Sequence, residues 1–199
     1  VEGAEIRVAT GHYTEVTVLP SSKQVLYLYK SVIIRGGYTV TNWESPNPIS
    51  HPTTLDARGG GRVLYLAGPA SATIEGLVIA RGSAAGLGGG PTRSLDDAGG
   101  GVYVEGAKLN LRNSSILSNS AEFGGGFYLR DGSVTVEGCL LEGNIASQKG
   151  GAIYGERGAP SLVENSVWDN AAADGGGLFL HQSNGHVLGN DLRSNVASN

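Results

Sequence analysis

The chain has no methionine and only one cysteine, Cys139. A primary translation product begins with Met, so the sequence is expected to be a processed product or a fragment. One cysteine cannot close an internal disulfide, and Cys139 is expected as a small apolar filler. Charged residues are only 16% of the chain, with a formal net charge of −4 and no basic stripe. That balance excludes the electrostatic footprint of a nucleic-acid partner. No apolar run approaches the ~20 residues of a membrane helix, so no membrane insertion of this segment is expected. Glycine is abundant at 33 of 199 residues, yet there is no Gly-X-Y triplet, which excludes a collagen helix.

The glycines are periodic. Gly99-Gly100-Gly101-Val102-Tyr103-Val104 returns as Gly124-Gly125-Gly126-Phe127-Tyr128-Leu129, as Gly150-Gly151-Ala152-Ile153-Tyr154, and as Gly175-Gly176-Gly177-Leu178-Phe179-Leu180. The steps are 25, 26 and 25 residues. A second phrase keeps the same interval: Ile116-x-x-Asn119, Leu141-x-x-Asn144, Val167-x-x-Asn170 and Leu192-x-x-Asn195. A fixed period in this range specifies a solenoid, in which each repeat buries its apolar face against the next. Period-two alternation in Leu109-Asn110-Leu111 and Val134-Thr135-Val136 marks half-buried strands, and glycine interrupts every segment before a helix could form. The fold class is therefore all-β, a parallel β-helix of about six to seven coils of ~25 residues, each holding three short strands and three turns.

Aligned coils define columns. Ile34, Ile74, Leu111, Val136, Leu162 and Val187 form one apolar column. Ile79, Ile116, Leu141, Val167 and Leu192 form a second, and Leu64, Val102, Phe127, Ile153 and Leu178 a third. Asn119, Asn144, Asn170 and Asn195 are predicted to occupy a left-handed turn position as a structural ladder, each amide bonding to the next. Tyr27, Tyr65, Tyr103, Tyr128, Tyr154 and Phe179 share one position in six successive coils, a column that points away from the apolar core if Val102 and Val104 point inward. This aromatic stripe either stabilises the sheet by ring stacking or serves as a contact face.

Residues 1–199 are read as a single domain. Residues 1–98 form longer coils, because Val25-Leu26-Tyr27-Leu28 recurs at Val63-Leu64-Tyr65-Leu66 after 38 residues. The extra residues fall within Tyr38–Gly61 and Ser83–Ala98, which are rich in proline and glycine and are expected as loops. Residues 99–199 are the regular coils. Neither end shows a polar cap, so both ends of the solenoid are expected to be bare, and head-to-tail stacking would cover them.

Gly150-Gly151-Ala152-Ile153 with the apolar-x-x-Asn phrases resembles the repeats of polymorphic outer-membrane and autotransporter-type passenger proteins. Those repeats usually carry Phe where this chain has Ile116, Leu141, Val167 and Leu192. Glu5-Ile6-Arg7-Val8-Ala9-Thr10-Gly11-His12-Tyr13 resembles the opening strand and turn of pectin-lyase-like right-handed β-helices. Arg35-Gly36-Gly37-Tyr38-Thr39-Val40-Thr41-Asn42-Trp43 and Pro52-Thr53-Thr54-Leu55-Asp56-Ala57 are similar to large bacterial surface proteins of that fold. The resemblance implies a right-handed parallel β-helix solenoid, a fold that hosts lyases, hydrolases and inert passengers alike.

No catalytic or metal-binding constellation emerges. Hydrolysis of a glycoside needs two carboxylates at a set separation. Of Asp56, Asp96, Asp97, Asp131, Asp169, Asp174 and Asp191, only Asp96 and Asp97 are adjacent, on an insertion loop, where solvated charge is the simpler reading. His12, His51, His181 and His186 share no periodicity. The Ca²⁺-binding Gly-Gly-x-Gly-x-Asp repeat is absent. The expectation is a non-enzymatic structural or adhesive protein of the bacterial surface, without cofactor. It would self-associate head to tail as a filament subunit or contact cell-surface polysaccharide. The alternative is a carbohydrate-active enzyme or polysaccharide-binding module.

Overall fold

The computed structural model describes residues 3–20 and 22–199. The chain winds through four sheets in turn. The first sheet stacks Ala4–Ala9, Val32–Tyr38, Ser71–Glu75, Lys108–Arg112, Ser133–Glu137, Ala159–Val163 and His186–Leu188. The second stacks Gly11–Tyr13, Thr53–Asp56, Leu77–Ala80, Ser115–Leu117, Leu140–Glu142, Ser166–Trp168 and Asp191–Arg193. A short third sheet holds Ser120–Phe123, Ile145–Lys149, Ala171–Ala172 and Val196–Ala197. The fourth runs from Ser22–Leu28 through Arg62–Ala67, Val102–Glu105, Phe127–Arg130 and Ile153–Glu156 to Leu178–His181. These neighbours pair in parallel, as a right-handed parallel β-helix requires. The regular coils thus carry four strands, where three were expected. The fourth arises because the residues between the Asn and Gly phrases also pair, Ser120 with Ile145 and Ala121 with Ala146.

Every predicted column is in register. Ile34 pairs with Ile74, Ile74 with Leu111, Leu111 with Val136, Val136 with Leu162, and Leu162 with Val187. The other two apolar columns pair equally well, and together they fill one continuous core in which Leu64, Ile74, Ile79, Leu111, Ile116 and Leu141 are fully buried. Each such side chain stabilises the fold by roughly 1.5–3 kcal/mol relative to exposure.

The corners rest on residues with left-handed backbone. In one coil these are Asn113, Ser118 and Asp131, at φ of 45°, 54° and 51°. The first glycine of each triplet does the same work at the fourth corner, with φ of 66°, 59°, 68° and 61° at Gly99, Gly124, Gly150 and Gly175. At the second glycine the constraint is contact: a Cβ on Gly125 would lie 2.2 Å from the carbonyl oxygen of Ile145. The asparagine ladder is present but its turn chemistry differs from the expectation. The left-handed residue is the one before each ladder Asn, namely Ser118, Gly143, Asp169 and Ser194. That placement leaves the asparagine itself free to aim its amide along the stack. Asn119, Asn144, Asn170 and Asn195 are joined by Nδ2–H to Oδ1 bonds of 2.9 Å at each step.

The two insertions leave the coil where proline and glycine are densest. Residues 39–52 separate the first and second sheets in the second coil. Residues 83–98 replace a third-sheet strand, and their ends keep its register through bridges of Ser83 to Ser120 and Ala98 to Phe123. The expectation of two bare ends needs one correction. Thr17–Leu19 folds back antiparallel on Ser22–Leu28 and covers the outer edge of the fourth sheet. At the other end the inward positions of the last coil are half open, with Val187 48% and Leu192 47% exposed. Among the described residues no helix is long and apolar enough to cross a membrane.

Candidate functional site

The aromatic column stacks as its spacing predicts. Tyr65, Tyr103, Tyr128, Tyr154 and Phe179 lie 5.0–5.5 Å apart, centroid to centroid, with neighbouring planes within 9°. Tyr27 joins at 5.3 Å but tilts by 35°. The rings do point away from the apolar core, yet they are not a surface stripe. Tyr103, Tyr128 and Tyr154 are 2%, 0% and 3% exposed. Tyr65 and Phe179 are half-buried, and only Tyr27 stays open. The loop of residues 83–98 and the third sheet fold over the column: Ala98 and Phe123 join its cluster, and Phe123 meets Tyr154 edge to face at 5.4 Å. The middle rungs are therefore a second core, and a contact face survives only at the Tyr27 end.

This second core contains charge. Arg62 and Arg130 are only 2% and 1% exposed. The Arg62 guanidinium lies 4.6 Å over the Tyr103 ring and donates to the carbonyls of Ala98 and Gly88 at 2.9 and 2.6 Å. Arg130 pairs with Glu105 at 2.6 Å and donates to the Gly90 carbonyl at 3.0 Å and the Tyr103 hydroxyl at 3.3 Å. The Tyr128 hydroxyl donates to the buried Glu156 carboxylate at 3.1 Å. Burial raises the Tyr103 and Tyr128 hydroxyls far above their ordinary range and pushes Tyr154 up to about 12. Glu105, Arg130, Glu156 and His181 occupy one register column, a fixed offset after each glycine phrase. That offset is the signal by which sequence reading could have found Glu105 and Arg130.

A larger opening lies across the first and second sheets, beneath the first insertion. It is a groove of about 790 Å³ lined in part by Arg7, Arg35, Tyr38, Glu44, Glu75 and Asn113. Its arginines are tied into a relay of ion pairs: Glu5 bridges Arg7 at 2.8 Å and Arg35 at 2.7 Å, and Arg35 reaches Glu75 at 3.2 Å. Asn113 donates to Glu75 at 3.3 Å. Hydrogen bonding from Arg7 holds the Glu5 carboxyl below its usual range. Arg7 also donates to the Trp43 carbonyl and lies 5.6 Å from the Tyr38 ring, against which Trp43 stacks at 6.0 Å. Gly36 and Gly37 seat this loop. A Cβ on Gly36 would meet the Gly76 carbonyl oxygen at 2.4 Å, and Gly37, at φ 85°, would meet the Pro48 nitrogen at 2.6 Å. Exposed apolar residues crown the loop: Val40, Trp43 and Ile49.

The aspartates are engaged in structure. Asp56 is buried and paired with Arg81, whose hydrogen bonding holds its carboxyl low despite the opposing effect of burial. Asp131 pairs with Arg157 at 3.0 Å, Asp174 with Lys149 at 3.4 Å and Asp191 with Arg193 at 2.7 Å. Asp96 and Asp97 are loop organisers more than solvated charge. Asp97 accepts from the backbone N–H groups of Gly86 and Gly88 at 2.8 Å each, and Asp96 from the Ser94 hydroxyl at 2.8 Å. Among the described residues no group of three His, Cys, Asp or Glu is placed to hold a metal ion.

Cys139 is buried, and burial raises its thiol to about 11. It fills a position that Asn165 and Asn190 occupy in the next two coils, where they form a second amide ladder with an Nδ2–H to Oδ1 bond of 2.8 Å. The spacing Asn165-x4-Asn170 and Asn190-x4-Asn195 carried this second ladder in the sequence.

The family model described as "Right handed beta helix region" matches residues 31–198. Neither a curated protein nor a solved structure matches the chain.

Proposed function

Since the chain belongs to the right-handed β-helix family, we propose that it is a non-enzymatic structural or adhesive domain of the extracellular or bacterial cell surface. In this reading it contacts polysaccharide along the groove under residues 39–52. The observation that carries the reading is the groove itself, lined by Arg7, Arg35, Glu75 and Asn113 from successive coils and roofed by a loop that exposes Trp43. Fixed donors and acceptors beside an open indole suit the polar edges and apolar faces of a sugar chain. The non-enzymatic part is supported by the carboxylates. Glu5, Asp56, Glu105 and Asp131 are all held below their ordinary range, with an arginine hydrogen bond acting on each. A general acid for glycoside cleavage needs the opposite shift.

The test is retention on a panel of immobilised polysaccharides, with soluble products assayed in parallel. Retention is expected to weaken in Arg35→Ala, with no reducing or unsaturated sugar released. Sugar release would defeat the non-enzymatic reading, and retention unchanged by Arg35→Ala would remove the groove from it.

A further inference from the structure

On the fourth sheet, away from the groove, the loop of residues 83–98 roofs a pocket of about 230 Å³. Arg62, Arg93, Arg130, Glu105, Tyr65 and Tyr103 line it. Three guanidiniums therefore face one carboxylate. Glu105 is already shared, bonded to Arg130 at 2.6 Å and to Arg93 at 3.0 Å. Arg62 has no carboxylate within ion-pair distance among the described residues; its bonds go to two carbonyls and its face to a ring. The Nε–H of Arg130, a residue only 1% exposed, has no hydrogen-bond partner among the described residues.

Buried charge is retained in proteins when it is paired, and a buried donor without an acceptor is costly. Here the first condition is unmet at Arg62 and the second at Arg130, and both residues line this pocket. The missing complement is an acceptor that carries negative charge. We propose that this pocket binds a single oxyanion group, the chemistry shared by sugar carboxylates, sulfate esters and phosphate monoesters, with Arg130, Arg62 and Arg93 as its cationic frame. Arg130 and Arg62 are fixed by burial and stacking, so the frame is preorganised, whereas Arg93 is exposed and closes on the ligand from the loop. Tyr65, half-buried beside the opening, supplies a ring against which the remainder of a sugar can lie. This site is separate from the groove, so its failure leaves the polysaccharide reading standing, and the reverse.

The experiment follows the arginine Nε–H signals of the intact protein by NMR during titration with sodium sulfate, sodium glucuronate or glucose 6-phosphate. Glucose is the neutral control. The Arg130 signal is expected to move with at least one anion and not with glucose, while Arg193, outside the pocket, stays fixed. Whichever anion saturates at lowest concentration identifies the source chemistry. Arg93→Ala, an exposed side chain whose loss leaves the fold intact, is expected to weaken that anion about tenfold, the loss of one charge-assisted bond. Glu105→Gln removes the competing carboxylate and is expected to tighten it. An Arg130 signal unmoved by all three anions, or an affinity unchanged in both variants, overturns the proposal.

Discussion

Removing one rung from the middle of the asparagine ladder should cost far more than removing its last rung. Asn144 is fully buried. Its Oδ1 accepts from the Asn119 backbone N–H at 3.1 Å and the Asn119 amide at 2.9 Å. Its Nδ2 donates to the Ile116 carbonyl and to Asn170 Oδ1, both at 2.9 Å. In Asn144→Ala the Asn119 N–H is left without an acceptor, a penalty of about 1–3 kcal/mol, and three further bonds are lost at about 1 kcal/mol each. The sum, about 4–6 kcal/mol, is a large part of the 5–15 kcal/mol that typically holds a domain together. Asn195 accepts the equivalent bonds from Asn170 and donates to the Val167 carbonyl at 2.7 Å, but it is only half-buried. Water can replace it, so Asn195→Ala should cost less than about 1 kcal/mol. Urea unfolding of the two variants, with midpoints and slopes compared with the parent, measures the difference. Asn144→Asp sharpens the test, because an ionised carboxylate would face Asn170 Oδ1 and the Ile116 carbonyl with no proton to offer. It should be less stable than Asn144→Ala at neutral pH and recover in acid. Equal losses in Asn144→Ala and Asn195→Ala would refute the view that desolvated amide pairing holds the turn.

Three further outcomes follow from the buried polar groups. Gln24 is fully buried and neither polar atom of its side-chain amide has a partner among the described residues, so Gln24→Leu should stabilise the fold by about 1–3 kcal/mol in the same assay. Burial raises the folded-state values of Cys139 to about 11, from 9.0, and of Tyr154 to about 12, from 10.0, and raises Tyr103 and Tyr128 further. The native state thus holds these protons more tightly than the unfolded chain. Their contribution is complete below about pH 9 and declines as pH rises through 10 toward 12. Melting temperatures recorded from neutral to strongly alkaline pH should show that decline, and Tyr154→Phe should reduce its slope; a flat profile would contradict it. Finally, Tyr103→Ala and Tyr128→Ala should each lower stability by about 3–5 kcal/mol, while the exposed Tyr27→Ala should fall within about 1 kcal/mol.

The last of these contrasts shows where sequence reading succeeded and where it had no purchase. Register was legible because in a solenoid the repeat interval and the strand pairing are the same quantity. If Tyr103 and Tyr128 recur after 25 residues, one full coil separates them and they must be neighbours. Direction was legible too, since alternation puts Tyr103 opposite to Val102 and Val104. Exposure was not, because what covers a ring is supplied by residues outside its column. Tyr103 is covered by Gly89 and Arg62, and Tyr154 by Phe123, all of which lie outside its column. The antiparallel return of Thr17–Leu19 escaped for the same reason, occurring once in the chain. The groove illustrates the limit from the other side. Glu5, Arg35, Glu75 and Asn113 come one from each of four successive coils, so each looks like an ordinary surface charge or turn residue until the stack brings them together. A periodic sequence therefore declares its scaffold and its internal ladders. Whatever such a protein recognises must be sought where the period is broken, and here that means residues 39–52 and 83–98. Both breaks sit above arginines held by the rigid part of the fold, Arg7 and Arg35 under one and Arg62 and Arg130 under the other.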